Sequence, residues 1–278
     1  CRHHGIVDDD VVDLTNLQRQ VVHGVADVGR PKTSSAAESV RAISPATVVI
    51  EHTARLDEST ALAVVADYDL VLDGADNFPT RYLVGDACAR LGIPHVWGSV
   101  FRFDGQVSVW WAGEGPCYAC VFPSQPAPDA VPSCAVGGVL GAVCASVGSV
   151  MGTEAIKLLT GIGEPLLGRL MVYDALDMTY RTIKIRKDPS TPKITELIDY
   201  EAFCGVVSED AADAARDATV TPRELRELLD SGKKFALIDV REQVEWDINY
   251  IDGAELVPKS TIESGDGLAK LPHDRVPV

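Results

Sequence analysis

The run LVLDGADNFPTRYLVGDA, residues 70–87, drives an apolar stretch straight into two acids, Asp73 and Asp76, with Pro79 opening a helix behind them. A short apolar run that carries Leu70 and Val71 inward suits a strand covered on both faces of a parallel sheet, where hydrophobic residues need not alternate. In open α/β sheets the ligand crevice lies beyond the carboxyl ends of such strands, so acids placed there are candidates for binding a cation or a hydroxyl group. The plainer reading is that Asp76 or Asn77 caps the helix that follows, with Pro79 in its first turn.

The same grammar occurs upstream. GIVDDDVV reads as a strand, Gly5–Val7, ending on Asp8, Asp9 and Asp10. Asn16, Arg19 and Lys32 are then spaced through a loop into a helix whose stripe of Ala36, Ala37, Val40 and Ile43 has helical period. Pro45 closes that helix, Thr47–Ile50 is the next strand, and a crossover helix from about Leu56 to Ala66 returns to the run at Leu70. Strand, crossover, strand in repetition implies a parallel α/β sheet. No glycine-rich phosphate loop precedes Gly5, so the first strand and loop of a nucleotide-binding sheet are expected to lie outside these 278 residues.

Further on, HVWGSVFRFDGQVSVWW alternates around Asp104 and Gly105, a hairpin signal that adds antiparallel strands to the sheet. The proline-rich segment from Cys117 to Cys134 reads as a long loop of the kind that serves a functional site. From Ala135 to Thr153 no charge interrupts nineteen residues, and Gly137, Gly141, Gly148 and Gly152 have the small-xxx-small spacing of membrane helix pairs. The many glycines, and the lack of a basic flank or aromatic belt, favour a buried helix packed through those glycines in a soluble core.

A formal net charge of -16 argues against nonspecific binding to nucleic acid, which needs clustered Lys and Arg. Seven cysteines, an odd number spread over a long chain without a leader pattern, point to a reducing cytoplasm.

Taken in order, IVDDDVVDLTNLQRQ, DGADNFPTRYLV, CYAC, PSCAVGGVLG and LMVYDALDM resemble the MoeB/ThiF adenylyltransferases, relatives of the ubiquitin-activating enzymes that activate ubiquitin-like sulfur carriers for molybdopterin or thiamine synthesis. The resemblance covers residues 5 to about 205. It implies a Rossmann-like mixed sheet with helices on both faces, and ATP with magnesium as cofactors. Asp8 would hold the ribose hydroxyls, as a carboxylate accepting two donors can. Asn16, Arg19 and Lys32 would hold the triphosphate, the cations offsetting its charge. Asp76 would hold magnesium, a hard ion that prefers oxygen, and Asn77 would join the nucleotide-binding set. Cys134 sits where the family places a loop cysteine able to join the carrier or its sulfur covalently; the alternative is a small buried residue at a helix start. Taken singly, each of these residues has an ordinary structural explanation; their convergence at strand ends favours a site.

Cys117 and Cys120 have the spacing of half a zinc site. Relatives often carry a second CxxC, but YEAFCGVV offers Cys204 alone, which favours an empty, degenerated site over bound zinc.

Beyond Cys204, SEDAADAARDA lacks an apolar stripe, and 206–218 reads as a linker between an adenylyltransferase domain, 1–205, and a smaller domain, 219–278. In the latter, Thr221, Pro222 and Glu224 form a helix start, Leu225, Leu228 and Leu229 its buried face, and Gly232 its end. FALIDVREQVEWDINYIDGAELVP resembles a rhodanese domain in Asp239, Arg241, Glu242, Trp246 and Gly253, with RVPV starting the strand before the family's persulfide loop. The pairing of domains resembles the MoeZ-type adenylyltransferase/sulfurtransferases. It implies a carrier ending in Gly-Gly, a sulfur donor or desulfurase, and a homodimer, with tethering of the two domains raising their effective concentration. Two rival classes are a noncatalytic carrier-binding subunit and a dinucleotide-dependent oxidoreductase; the latter would not require Arg19, Lys32 and Asp76 together. No motif identifies the carrier or the pathway served.

Overall fold

Strand β4, His95–Phe101, fixes where the layers lie. Successive side chains of a strand point to opposite faces, and here both faces are dry: Val96 is fully buried on one side, Trp97 almost so on the other. Val96 joins Val107, Val109, Val143, Val147 and Met151 in one core, whereas Trp97 joins Leu83, Ala87, Trp110, Tyr118 and Tyr200 in another. The two cores are the two faces of one sheet, each covered by helix.

In this computed structural model, which describes residues 3–124, 138–204, 220–231, 235–263 and 265, the chain divides into two units, Cys1–Val206 and Val207–Val278. In the first, β1 (His3–Val7) pairs in parallel with β2 (Val48–His52) across helix α1 (Lys32–Ile43). A second sheet runs, in spatial order, β3 (Val71–Asp73), β4, β5 (Asp104–Trp110), β6 (Arg169–Asp174) and β7 (Thr179–Lys184). Its β3–β4 pair is parallel and the others antiparallel. Helices α2 (Ala61–Val65), α3 (Phe78–Leu91) and α4 (Tyr118–Val121) serve the Trp97 face; α5 (Gly141–Thr160) lies on the Val96 face. This is the expected mixed α/β fold, its parallel strands divided between two ladders. Tyr68 packs on the first ladder: its hydroxyl bonds His52 Nε2 of β2 at 2.8 Å, and a Cβ on Gly5 of β1 would fall 2.2 Å from the same oxygen.

The hairpin turns two residues earlier than its sequence signal. Phe101 pairs with Asp104, so Arg102 and Phe103 make the turn, Arg102 taking φ +52°. Gly105 is needed elsewhere, inside β5, where a Cβ would stand 2.4 Å from Val147 Cγ2 of α5. Gly98 of β4 meets Met151 Sδ at 2.3 Å in the same way. The helix thus approaches through the strands' glycines; the expectation that its own glycines pack it holds for Gly141, which lies against Gln18, but not for Gly148 and Gly152, which face open space, while Gly137 lies outside the described residues. By length and composition α5 can cross a membrane, yet Val143, Val147 and Met151 are seated on β4 and β5, and its buried Glu154 accepts from Leu166 N at 2.7 Å and pairs with Lys157.

Other expectations shift for local reasons. In α1, Ala37 is buried but Ile43 is 87% exposed, because the last turn overhangs the sheet. The crossover helix shortens to α2 because the Asp57 carboxylate draws in the amides of Ser59 and Thr60, making a turn where a helix was expected. The residues after β7 return to the core through Tyr200–Phe203, whose Tyr200 hydroxyl donates to Asp86 Oδ2 on α3 at 2.7 Å.

In the second unit, the helix Pro222–Asp230 starts on the expected capping box, Glu224 N–H donating to Thr221 Oγ1 at 3.3 Å and Thr221 N–H to Glu224 Oε2 at 2.7 Å. Leu225 and Leu228 are half-buried, whereas Leu229, expected on the same face, is exposed. Strands β8 (Ile238–Asp239) and β9 (Glu255–Leu256) pair in parallel. Arg241 forks onto Asp239 at 2.6–3.2 Å and donates to Asn249 O at 2.9 Å. The linker 206–218, Gly232 and the C-terminal RVPV lie outside the described residues.

Two outcomes test this packing. Gly105→Ala is expected to destabilise the chain by about 1–3 kcal/mol through overpacking against Val147, read as a lower thermal midpoint. Tyr200→Phe should cost about 1–3 kcal/mol, because Asp86 loses its donor. Burial raises the Asp86 pKa and the Tyr200 bond only partly offsets this, so the folded state favours the protonated acid. Its ionisation therefore weakens the fold as pH rises through the raised folded value, and the Tyr200→Phe deficit should be larger at pH 8 than at the acid end of the stability range.

Candidate active site

The loop between β1 and α1 folds back on itself. Val12 N–H donates to Arg30 O and Gly29 N–H to Val12 O, each at 2.8 Å, which brings the first residue of α1 beside the end of β1. Lys32 is that residue. Its Nζ lies 2.6 Å from Asp10 Oδ2 and 3.9 Å from Asp8 Oδ2, and its amide donates to Asp10 O at 3.0 Å. Asp8 Oδ1 in turn accepts from Asp10 N–H at 2.9 Å. Burial raises the Asp8 pKa, and the Asp10 amide and Lys32 only partly counter it.

A cavity of about 340 Å³ opens here, lined by Ile6, Asp8, Gln20, Val21, Val22, His23, Lys32 and Ala36. One wall is aliphatic, and the carboxylate and ammonium stand at its edge. A flat apolar ring bearing hydroxyl and anionic groups matches that division. Gln20 and His23 were not singled out from the sequence. Gln20 Oε1 is buried without a partner among the described residues, and His23 Nδ1 contacts Ser35 Oγ at 2.8 Å while burial lowers its pKa. The run QRQVVHG just after Asn16 was the available signal.

Asn16 is buried: its Oδ1 accepts from Asp13 N–H at 3.0 Å, and its carbonyl takes the Arg19 and Gln20 amides at 3.0 and 2.9 Å. It shapes the loop from which Arg19 projects, with Arg19 Nη1 donating to Thr15 O at 3.2 Å. A Cβ on Gly141, the first residue of α5, would lie 2.2 Å from Gln18 O, so that helix begins against this loop. Asp76 stands on the separate β3–α3 loop, exposed; among the described residues no hydrogen bond or ion pair ties it to the Lys32 group. An exposed carboxylate facing a phosphate-bearing ligand fits magnesium, which keeps waters and takes one or two carboxylates besides phosphate oxygens. Asn77 is the cap foreseen as the plainer reading, its Oδ1 accepting from Thr80 N–H at 2.9 Å, which leaves its side-chain amide hydrogens for a ligand.

Cys117 and Cys120 sit at the start of α4 with sulfurs 2.8 Å apart, whereas two thiolates on one tetrahedral zinc stand about 3.8 Å apart. The groupings of three or more ligand-type side chains among the described residues do not include either cysteine. The residues present do not fit zinc. Burial first, then Cys120, pushes the Cys117 thiol up to about 12. Burial also opposes the Cys120 thiolate, but hydrogen bonds from Cys117 and Thr191 outweigh it and lower its pKa. Cys134 lies outside the described residues.

The fold and site define a class. Residues 1–193 match the ThiF family, and the chain belongs to it. The particular relatives are more telling: the chain is 66% identical, over 99% of its length and 71% of the other's, to the probable adenylyltransferase/sulfurtransferase MoeZ of Mycobacterium tuberculosis. It is 48% identical to the sulfur carrier protein adenylyltransferase of Thermus thermophilus, over 73% of this chain and 79% of that one. Among solved structures, Escherichia coli MccB bound to ATP superposes with a TM-score of 0.60 at 19% identity, covering 68% of this chain and 59% of that one, a likeness of fold.

Thiol reactivity tests the site's electrostatics. With limiting iodoacetamide at pH 7.5, Cys120 is expected to alkylate at least about tenfold faster than Cys117 or Cys88, as read by peptide mass mapping. Burial raises the Cys88 pKa to about 12.

Proposed function

We propose that the chain uses ATP to adenylate the C-terminal glycine of a ubiquitin-like sulfur carrier and serves the sulfur transfer that turns this glycine into a thiocarboxylate. The reading rests above all on Lys32 standing beside Asp8 at the rim of a ring-sized cavity, in a chain so similar to a MoeZ adenylyltransferase/sulfurtransferase. Asp8 accepts the ribose hydroxyls. Lys32, released from Asp10 by a competing phosphate, and Arg19 take the negative charge of the triphosphate. Asn16 keeps Arg19 in place, Asp76 would hold magnesium, and the free amide hydrogens of Asn77 would donate to the nucleotide. When bound there, magnesium would supply charge that offsets the departing pyrophosphate.

The carrier carboxylate oxygen attacks the α-phosphorus, the bond to the bridging oxygen breaks, and pyrophosphate leaves with that electron pair. Neither reactant needs a protein base; positioning and charge stabilisation carry the step. The terminal sulfur of a persulfide, carried by the rhodanese-like unit and supplied by a desulfurase, then displaces AMP from the mixed anhydride to give an acyl disulfide; a thiolate attacking the protein-side sulfur breaks the S–S bond, leaves as a disulfide with it and releases the thiocarboxylate. Cys134 is the candidate for covalent capture of the carrier. The protein works in the cytoplasm as a homodimer, a reading supported by the uncovered outer face of α5, where Ala145, Ser149, Ile156 and Leu159 are exposed.

The test is ATP–pyrophosphate exchange with and without a carrier ending in Gly-Gly. Carrier-dependent exchange is expected, falling about 100-fold or more in Asp76→Ala and in Lys32→Ala. Asp10→Asn should stay within about threefold of wild type, since Asp10 partners Lys32 only when no phosphate does. A folded protein that exchanges with no carrier overturns the proposal in favour of a noncatalytic carrier-binding subunit.

A further inference from the structure

Asp73 and His95 form a polar pair inside the Trp97-face layer that the mechanism above does not use. Asp73 ends β3 and is 4% exposed; His95 begins β4 and is 1% exposed. His95 lies opposite Val71, and because side chains two apart share a face, it reaches diagonally to Asp73, Nε2 to Oδ2 at 3.2 Å. The tautomer with hydrogen on Nε2 donates to the acid and leaves a lone pair on Nδ1, which has no partner among the described residues.

Such a pair is hard to justify by stability. Replacing a buried ionisable pair with apolar side chains is often neutral or stabilising, and an unpaired nitrogen adds to its cost. What the pair does hold is the loop after β3. Asp73 Oδ1 accepts from Ala75 N–H at 2.9 Å, and the carbonyl of the same Ala75 accepts from Arg81 Nε at 2.8 Å. Arg81 is itself buried, its guanidinium 5.3 Å from the Phe78 ring centre. The Ala75–Asp76 peptide unit is thus held through its carbonyl, and the residue after Asp76 is held as the α3 cap, while the Asp76 carboxylate stays exposed.

We infer that Asp73 and His95 are positioning residues: His95 locks the Asp73 carboxylate, Asp73 locks the Ala75 amide, and the loop thereby presents Asp76 to a divalent cation on the nucleotide phosphates. The inference rests on the magnesium role proposed for Asp76.

Full-length wild type, His95→Leu and His95→Gln are compared by two measurements. Hydrogen exchange follows the amides of residues 74–77, and electron paramagnetic resonance follows manganese binding in the presence of a non-hydrolysable ATP analogue. In His95→Leu the loop amides are expected to exchange about tenfold faster while β4 and α3 keep their protection, and the manganese Kd to rise about five- to tenfold. His95→Gln, whose amide nitrogen reaches about as far as Nε2, should restore both. Should His95→Leu not fold, Asp73→Asn replaces it, with a two- to threefold effect expected on each readout because a neutral acceptor holds Ala75 less firmly. Unchanged loop exchange, faster loop exchange without weaker manganese binding, or exchange raised throughout β4 overturns the inference. Wild-type protein that binds manganese and nucleotide in this pattern yet gives no carrier-dependent pyrophosphate exchange overturns the proposed function and leaves the pair standing.

Discussion

The first unit depends on β4 being covered on both faces. A strand with one wet face could be satisfied by a single helical layer; one that buries both Val96 and Trp97 requires a layer on each side. The aliphatic layer is close-fitting because Gly98 and Gly105 let α5 approach the strand backbones. The aromatic layer is filled by Trp97, Trp110, Tyr118 and Phe122, whose ring centres lie 4.9–6.3 Å apart. Each layer supports one part of the site: α5 begins against the Arg19 loop, and α3 begins at Asn77 beside Asp76.

The polar groups sit at strand ends, where solvent and loop amides are at hand: the acids collect where β1 and β3 stop. Asp8 and Asp76 stay accessible there, Lys32 pairs with Asp10 and lies 3.9 Å from Asp8, and buried Asp73 needs His95 and the Ala75 amide as partners.

Much of this was legible in the residues. The strand ends at Asp8 and Asp73, the helix opened by Lys32, the Asn77 cap and the Thr221–Glu224 box follow from local chemistry, which acts over three or four residues. The hairpin was misplaced because Gly105 has two possible uses, a turn or a close approach, and only the presence of α5 above it selects the second. Gln20 and His23 were passed over because single polar residues in a loop acquire meaning only when the loop closes on a cavity. Spacing alone brings Cys117 and Cys120 together; their 2.8 Å separation, and the lack of a third ligand-type side chain grouped with them among the described residues, belong to the tertiary structure.

By itself the sequence determined the alternation of strand and helix, the acids at strand ends, the family and the capped start of the helix at Pro222, because periodicity, capping and motif order are properties of neighbouring residues. The tertiary structure decided which glycines admit a helix, which acid meets Lys32 and which is buried against His95. Those choices join residues twenty to fifty positions apart, and no local pattern encodes a contact that only the packing of layers creates.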